Sequence, residues 1–563
     1  MKEFKIIRGL MAGLASVVLV SCNFLDFDET NGLKTKEDMY QYFNSVEQML
    51  THVYSYMPRD LGTLSGAMRD CGCDDAEYGN KGAAVQRFNN GAWSSVNTVD
   101  DAWSLYYGIR AANSFIEEVA KVDLSRYEHD SKYNNWMKKL AFFPYEARVL
   151  RAHYFFELAR RYGDIAMPLQ VLDVEGANTL HKTSFDDVIR FIVSECDECA
   201  AVLPQTYKGQ PDAQTGRITK GFAMAVKSKA LLYAASPLHN ENSDEEAWKA
   251  SAKAALDIID TEIYKLDPAG CANSNTSAEI VMVVMGGDSQ TFELNNFPIR
   301  FTEGKRSGAT ATFPSQNLVD AFQTRNGYKV TLENNGWLCD DPEFDPQNPY
   351  VNRDPRFART ILADGVGFKE SVIDLAEGGI DDAEVTAGGS PTGYFLRKYI
   401  QESTSFIPDR TVTNKHHWIV YRYAETLLTY AESMVNAFGD PDYTDDVYKY
   451  SARWALNQVR ANAQMPQVKA DGKEEFIEAL RNEWRVEFAF EDHRFWDIRR
   501  WKIGSDTQRE LNGVKIIREE DGTKSYYRQV CETRKWTDRM NLYPIPQSEL
   551  FKNPNLNPQN QGW

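Results

Sequence analysis

A chain of 563 residues is long enough for several domains, or for one large helical body with insertions. Its hydrophobic fraction of 42% supports a packed core and excludes wholesale disorder, while a formal net charge of -18 without any basic stripe argues against a general nucleic-acid binder, which needs clustered Lys and Arg. Aromatic residues reach 12%, which suits a protein that stacks flat ligands and equally suits an aromatic-rich core.

The first stretch, "MKEFKIIRGLMAGLASVVLVSC", has a basic start at Lys2, Lys5 and Arg8 and an apolar run from Gly9 to Val20 that is too short to span a bilayer. It reads as a secretory signal over residues 1–21. The ending "LVSC" resembles a bacterial lipobox, in which Cys22 would be acylated and become the mature N-terminus; a soluble exported protein cleaved nearby is the alternative. Acyl chains at Cys22 would anchor the protein to a membrane. Residues 22–35 are acidic and turn-forming, and read as a tether.

Helical periodicity dominates the chain beyond the tether. Apolar residues recur at three- and four-residue intervals over 36–57, 99–122 and 145–164. "SFDDVIRFIVSECDECAAVLP" opens on a Ser184 cap and closes at Pro204, "TKGFAMAVKSKALLYAASP" opens at Thr219 and closes at Pro237, and "DEEAWKASAKAALDIIDT" adds another helix. "WIVYRYAETLLTYAESMVNA", "DVYKYSARWALNQVRANA" and the segment from 482 to 501 complete a C-terminal set. Short loops between several pairs give the pattern of stacked helical hairpins, so the expected fold is mainly α: a degenerate tetratricopeptide-like scaffold of helical pairs with long loop-rich insertions and a few short strands. The scaffold covers 36–270 and 416–503 of a single domain, 36–563. Between 271 and 415 the chain turns rich in Gly, Pro, Asn, Thr and Asp, with strand-like runs such as "EIVMVVM" and "GYFLRKYI". A long, poorly helical insertion in a helical frame is usually functional. The segment 58–99 has the same character, and 504–563 reads as irregular.

Seven cysteines besides Cys22 are an odd number that cannot all pair internally. Cys71 and Cys73, and Cys196 and Cys199, are close in sequence, but zinc needs two such pairs or added histidines converging, and buried or adventitious thiols are the favoured reading. No metal and no cofactor are expected. The stretch "NEWRVEFAFEDHRFWDIRRW" packs Glu483, Glu487, Glu491, Asp492 and Asp497 among Arg485, His493, Arg494, Arg499 and Arg500. On one helix Glu483, Glu487 and Glu491 would fall at i, i+4 and i+8 with arginines interleaved at neighbouring turns, a self-neutralising pattern that favours ionised carboxylates over a poised catalytic acid. No HExxH, GxSxG, P-loop or dinucleotide fingerprint occurs in its required context, and no catalytic residue is expected.

That C-terminal stretch, extended to "RNEWRVEFAFEDHRFWDIRRW", resembles the signature of the SusD/RagB family, an E-R-x-E-L-A-F-E-G-x-R-x-x-D-L-x-R-W pattern in which Asp492 here replaces the usual small residue. "YEARVLRAHYFFELARRYGDIAMPL", "PSQNLVDAFQTRNG", "NRDPRF", "YRYAETLLTYAE" and "NLYPIPQSELFKNPNLNPQNQGW" match family stretches in order along the chain. The resemblance implies four tetratricopeptide-like helical pairs with a loop-built ligand site, on a cell-surface outer-membrane lipoprotein. It further implies a hinged lid over a SusC-like TonB-dependent transporter, delivering oligosaccharides, or peptides in the RagB branch.

A sugar offers an apolar face and a rim of hydroxyls, so its site needs aromatic platforms with fixed polar partners. Trp93, Tyr78 and Trp337 are the candidate platforms, with Asp74, Asp75, Arg87 and Asn90 as hydrogen-bond partners; Phe292, Phe301 and Phe313 are weaker additions. Trp103, Tyr106 and Tyr107 fall on a helix stripe and read as core, and His416 and His417 as surface residues. Two other classes remain: a glycoside hydrolase, which would pair Asp74 or Asp75 with Asp340 or Asp341, and a helical-repeat adaptor with no small ligand. The acidic balance disfavours polyanionic glycans unless basic residues gather locally.

Overall fold

The computed structural model describes residues 36–563 except Asp60, 208–213 and Ala309; the signal segment, Cys22 and the tether lie outside the described residues. The fold is mainly α, with 40% helix and 14% strand. The principal helices are α1 (Phe43–Tyr54), α2 (Leu105–Val119), α3 (Phe143–Tyr162), α4 (Phe185–Val202), α5 (Lys220–Ala235), α6 (Glu245–Ile259), α7 (Tyr423–Phe438), α8 (Ala452–Asn462), α9 (Lys473–Glu487) and α10 (Arg494–Arg500). From α1 to α8 each packs on the next in chain order, including α6 on α7 across the long insertion between them. The sequence caps are real: Ser184 accepts from the Asp187 amide at 3.3 Å and Thr219 from the Phe222 amide at 3.4 Å. None of the described helices is long and apolar enough to cross a membrane.

The strands form two-stranded antiparallel ladders only, among the described residues. The longer ones are β1 (Ala76–Tyr78), β2 (Ile280–Val284), β3 (Thr312–Pro314), β4 (Val330–Glu333), β5 (Gly336–Cys339), β6 (Trp418–Arg422), β7 (Glu510–Arg518) and β8 (Lys524–Thr533). Two sequence expectations give way to the structure. "WIVYR" is β6 rather than the start of a helix, because its alternating apolar residues pair with β2 and leave α7 to begin at Tyr423. The two ends of the inserted segment are thereby clamped to each other. The region after 504 is not irregular throughout: β7 and β8 make the longest ladder among the described residues, turning near Asp521 and Gly522, where Gly522 adopts φ 86. β1 pairs with β3, which ties the 58–99 segment to the insertion.

Two buried clusters hold the body together. The larger joins α1–α4 to the insertion and the β7–β8 hairpin; the smaller joins α5–α9 around Trp248, Leu428, Met434, Phe476, Trp484 and Trp501. Each such side chain stabilises the fold by about 1.5–3 kcal/mol through burial.

Candidate functional site

The charged stretch after 482 forms a wall of paired ions, though not by the local pairing its spacing suggests. α9 ends at Glu487, so Glu491 sits beyond the helix, and the partners come from distant segments. Glu483 receives Arg356 at 2.5 Å and Arg460 at 2.9 Å; Glu487 receives Arg422 at 2.6 Å and Arg356 at 2.7 Å; Glu491 receives Arg422 at 2.7 Å and Lys398. Arg500 is clasped by Glu432 at 2.5 Å and Asp497 at 2.7 Å, and the Trp501 indole donates to the same Glu432 at 2.7 Å. Burial alone would raise the Glu487 pKa, yet Arg422 and Arg356 hold it down at about 2. A carboxylate so held is an ion-pair partner rather than a proton donor near neutral pH.

Of the platforms and partners named from sequence, only Asp74 and Asp75 bind this stretch; the rings pack into the body. Trp93 packs edge-on against Phe88 and Tyr543 and against Trp563; Tyr78 is buried in β1; Trp337 is buried in β5 against Tyr350 and Tyr526. None of the three presents a free ring face, because apolar rings in these loops gain more by packing than by facing water. Phe313 is fully buried, Phe292 almost so, and Phe301 half-buried under Arg300. Asp74 binds Arg494 through both oxygens at 2.9 Å and Asp75 binds Arg485 at 2.7 Å. Burial would raise Asp74, but Arg485 and Arg494 overcome it and hold its carboxyl below the usual range; burial leaves Asp75 raised. Asp341 accepts from Asn326, Asp340 is exposed, and neither meets Asp74 or Asp75 in a hydrogen bond. Arg87 donates to the Thr98 carbonyl at 2.7 Å, and exposed Asn90 accepts from the Ala92 amide at 2.9 Å.

His416 and His417, expected at the surface, are buried: His416 meets Glu293 at 2.8 Å and His417 accepts from the Gly286 amide at 3.1 Å. All seven described cysteines are free thiols. Asp70, Cys73 and Asp75 bring three potential ligand atoms within 4.8 Å of one another. The Cys73 thiol donates to the Asp70 carbonyl at 3.2 Å, and burial pushes both the thiol and the Asp70 carboxyl toward their neutral forms.

In front of the wall lies a cleft of about 920 Å³. One side is the α9 face with Arg481, Asn482 and Arg485, together with Arg494; the other is the loop leading into the β4–β5 hairpin, with Gln323, Asn326 and Tyr328. That loop is built to hold its shape. The Thr324 amide donates to the Tyr328 carbonyl at 2.8 Å, the Gly327 amide to the Thr324 carbonyl at 2.9 Å, and the Arg325 amide to the Asn352 carbonyl at 2.7 Å. Gly327 sits at φ 86, where a Cβ would also come within 2.8 Å of Pro466. The turn leaves Tyr328 43% exposed at the rim. Gln323 accepts from Arg460 at 3.0 Å and Asn482 donates to the Ala321 carbonyl at 3.0 Å, fixing both sides relative to each other. An exposed ring beside fixed amides and guanidinia can stack a pyranose face and bond its hydroxyls. Tyr328 escaped the sequence reading; its only signal is the "RNGY" turn after the apolar "NLVDAF".

A smaller cleft of about 230 Å³ lies on α2. Trp103, Tyr106 and Tyr107 border it; Trp103 and Tyr106 pack against the main core as expected, and Tyr107 does not. The buried stripe of α2 runs Leu105, Gly108, Ile109, Ala112, which turns Tyr107 outward to 67% exposure, while Trp103 and Tyr106 are half-buried.

The architecture defines a class: a helical scaffold whose inserted segment rims a cleft of mixed polar and apolar lining. The model of the SusD family matches residues 278–563, just over half of the chain, and the chain belongs to that family. A SusD-like protein P25 of Formosa agariphila is 23% identical, with 95% of each chain covered. A SusD-like protein from Bacteroides fragilis is 25% identical with a TM-score of 0.74, covering 94% of this chain and 99% of its own. A SusD-like carbohydrate-binding protein from the same species shares the fold at 23% identity and a TM-score of 0.70, covering 92% and 100%.

Proposed function

We propose that the protein captures oligosaccharides in the cleft between α9 and the 323–329 loop and passes them to a SusC-like TonB-dependent outer-membrane transporter, while anchored at the cell surface through acylated Cys22. The observation that carries the reading is the cleft itself. Its volume of about 920 Å³ suits an oligosaccharide, and its lining sets the exposed Tyr328 and apolar residues beside amide and guanidinium donors. Membership of the SusD family supports it, as does the carbohydrate-binding description of one structural relative. The lipobox-like "LVSC" supports the anchor. The domain plan accords with the same reading: one SusD-like body after a removed signal and a short tether.

Calorimetry of the chain starting after Cys22, against plant and host oligosaccharides and a mixed peptide digest, tests the cargo. Oligosaccharide binding weakened at least about tenfold by Tyr328→Ala, the loss of one stacking platform, supports the reading. Binding of peptides alone would replace sugar by the peptide cargo of the RagB branch, and sugar binding indifferent to Tyr328 would move the site elsewhere.

A further inference from the structure

Near the charged wall, Arg499 and Arg481 have no carboxylate partner among the described residues. Arg499 is sealed at 2% exposure, with its guanidinium carbon 3.5 Å from the Phe495 ring centroid and one donor on the Phe495 carbonyl. Arg481 differs, because it is only partly buried and borders the cleft. It makes no hydrogen bond or ion pair with any described residue, and its guanidinium carbon lies over the Trp501 ring at 5.1 Å from the centroid. The nearby acids are already engaged: Glu432 by Arg500 and the Trp501 indole, Asp497 by Arg500. Burial pushes the Arg481 pKa down; Glu432 counters that, while Arg500 and Arg494 add to it. A cation left partly desolvated among other cations is an uncommon arrangement unless an anion completes it.

We propose that Arg481 anchors an anionic substituent, a carboxylate or a sulfate, carried by the glycan that occupies the cleft. This rests on the cleft being the sugar site. The planar fork of arginine accepts a carboxylate or sulfate through two parallel hydrogen bonds, and Trp501 behind it fixes the plane of that fork. Lys329, exposed on the opposite loop and without a partner among the described residues, faces the same space and favours the same sign.

The remaining charges limit how many anions the cleft tolerates. Asp341 and Glu343 both accept from Asn326, Asp320 is paired with Arg528 at 2.7 Å, and Glu475 accepts the Asp471 amide. Exposed Glu478 lies one turn before Arg481 without reaching it. These acids line the cleft and repel a run of like charges. The selected ligand therefore carries a single anionic group among neutral sugars, which reconciles a net charge of -18 with recognition of an acidic glycan.

The test compares matched ligands by calorimetry. Glucuronoxylan-derived oligosaccharides bearing one uronate are paired with their carboxyl-reduced forms, and sparsely sulfated galactan oligosaccharides with their desulfated forms. Wild type is expected to bind one charged form at least about tenfold more tightly than its neutral partner, with the preference shrinking as salt rises. Arg481→Gln should erase the preference by weakening the charged form far more than the neutral one, and leave the denaturation midpoint unchanged; Arg481→Lys should restore part of the preference. Tyr328→Ala should weaken both forms together. Equal wild-type affinity for charged and neutral forms, or a preference that survives Arg481→Gln, overturns the proposal while leaving the cleft reading intact. Sugar binding insensitive to Tyr328→Ala overturns the cleft reading instead, and no binding by either ligand class overturns both.

Discussion

The two faces of α9 both carry charge, acidic on one and basic on the other, and differ in how fully that charge is met. On one, Glu483 and Glu487 turn inward against Arg356, Arg422 and Arg460, and each charge has its counter-charge. On the other, one turn before Arg485, Arg481 opens to a cleft with no counter-charge bound to it among the described residues. A paired buried ion gives a fold its geometry, and an unpaired, accessible one is available for a ligand. Counting charges along the chain does not separate the two; knowing which partner reaches each charge does.

The comparison breaks most visibly where a paired ion loses its partner. Glu432→Ala leaves Arg500, which is 1% exposed, with Asp497 as its one remaining carboxylate and strips the Trp501 indole of its acceptor, and should lower stability by about 3 kcal/mol in urea denaturation. Arg481→Gln, on the unpaired face, should leave the same midpoint in place.

Acid should act on the paired face next. Despite burial, which raises a carboxyl's pKa, Glu157, Glu425 and Glu487 are each held at about 2 by neighbouring cations, against an ordinary 4.5. A depressed folded pKa stabilises fully above the unfolded value and is lost as pH falls from about 4.5 toward 2. The urea midpoint should therefore hold from pH 7 to 5 and drop steeply below pH 4, by at least about 2 kcal/mol in free energy. A flat midpoint down to pH 3 would show that these pairs contribute nothing.

The smallest effect sharpens the contrast within a single loop. Burial raises Asp70 well above the ordinary range, with Asp75 and Asp492 adding to it, and one of its oxygens has no partner among the described residues; Asp74, four residues on, is ionised between two arginines. Asp70→Asn should lie within about 1 kcal/mol of wild type at pH 4 and below, because it keeps the neutral form's shape. It should gain on wild type as pH rises, since a raised carboxyl is stabilising only while protonated. A loss of several kcal/mol on Asp70→Asn, as expected for Asp74→Asn, would show instead that Asp70 is charged and held.

Much of the frame was legible. Ser184 and Thr219 announced the starts of α4 and α5, and the apolar spacing of 245–259 its helix, because caps and periodicity are local. The family resemblance rested on motif order and was equally readable. The β7–β8 hairpin was missed although Asp521-Gly522 is its signal, since the flanking strands mix charged and apolar residues. The candidate platforms proved to be buried. Trp93 and Trp337 looked like platforms because they sit in loop-like sequence, yet loops that fold back on a body pack their rings inward.

The sequence by itself determined a helical frame, the place of its insertion and a charge-rich helical segment near the C-terminus, because each depends on residues within a turn or two of one another. Only the tertiary structure decided which charges are paired. Arg356 and Arg422 reach Glu487 from 131 and 65 residues away, and Asp74 reaches Arg494 across 420. Spacing along a chain carries no information about such contacts, and the accessible guanidinium of Arg481 that they leave unmatched becomes visible only after they have formed.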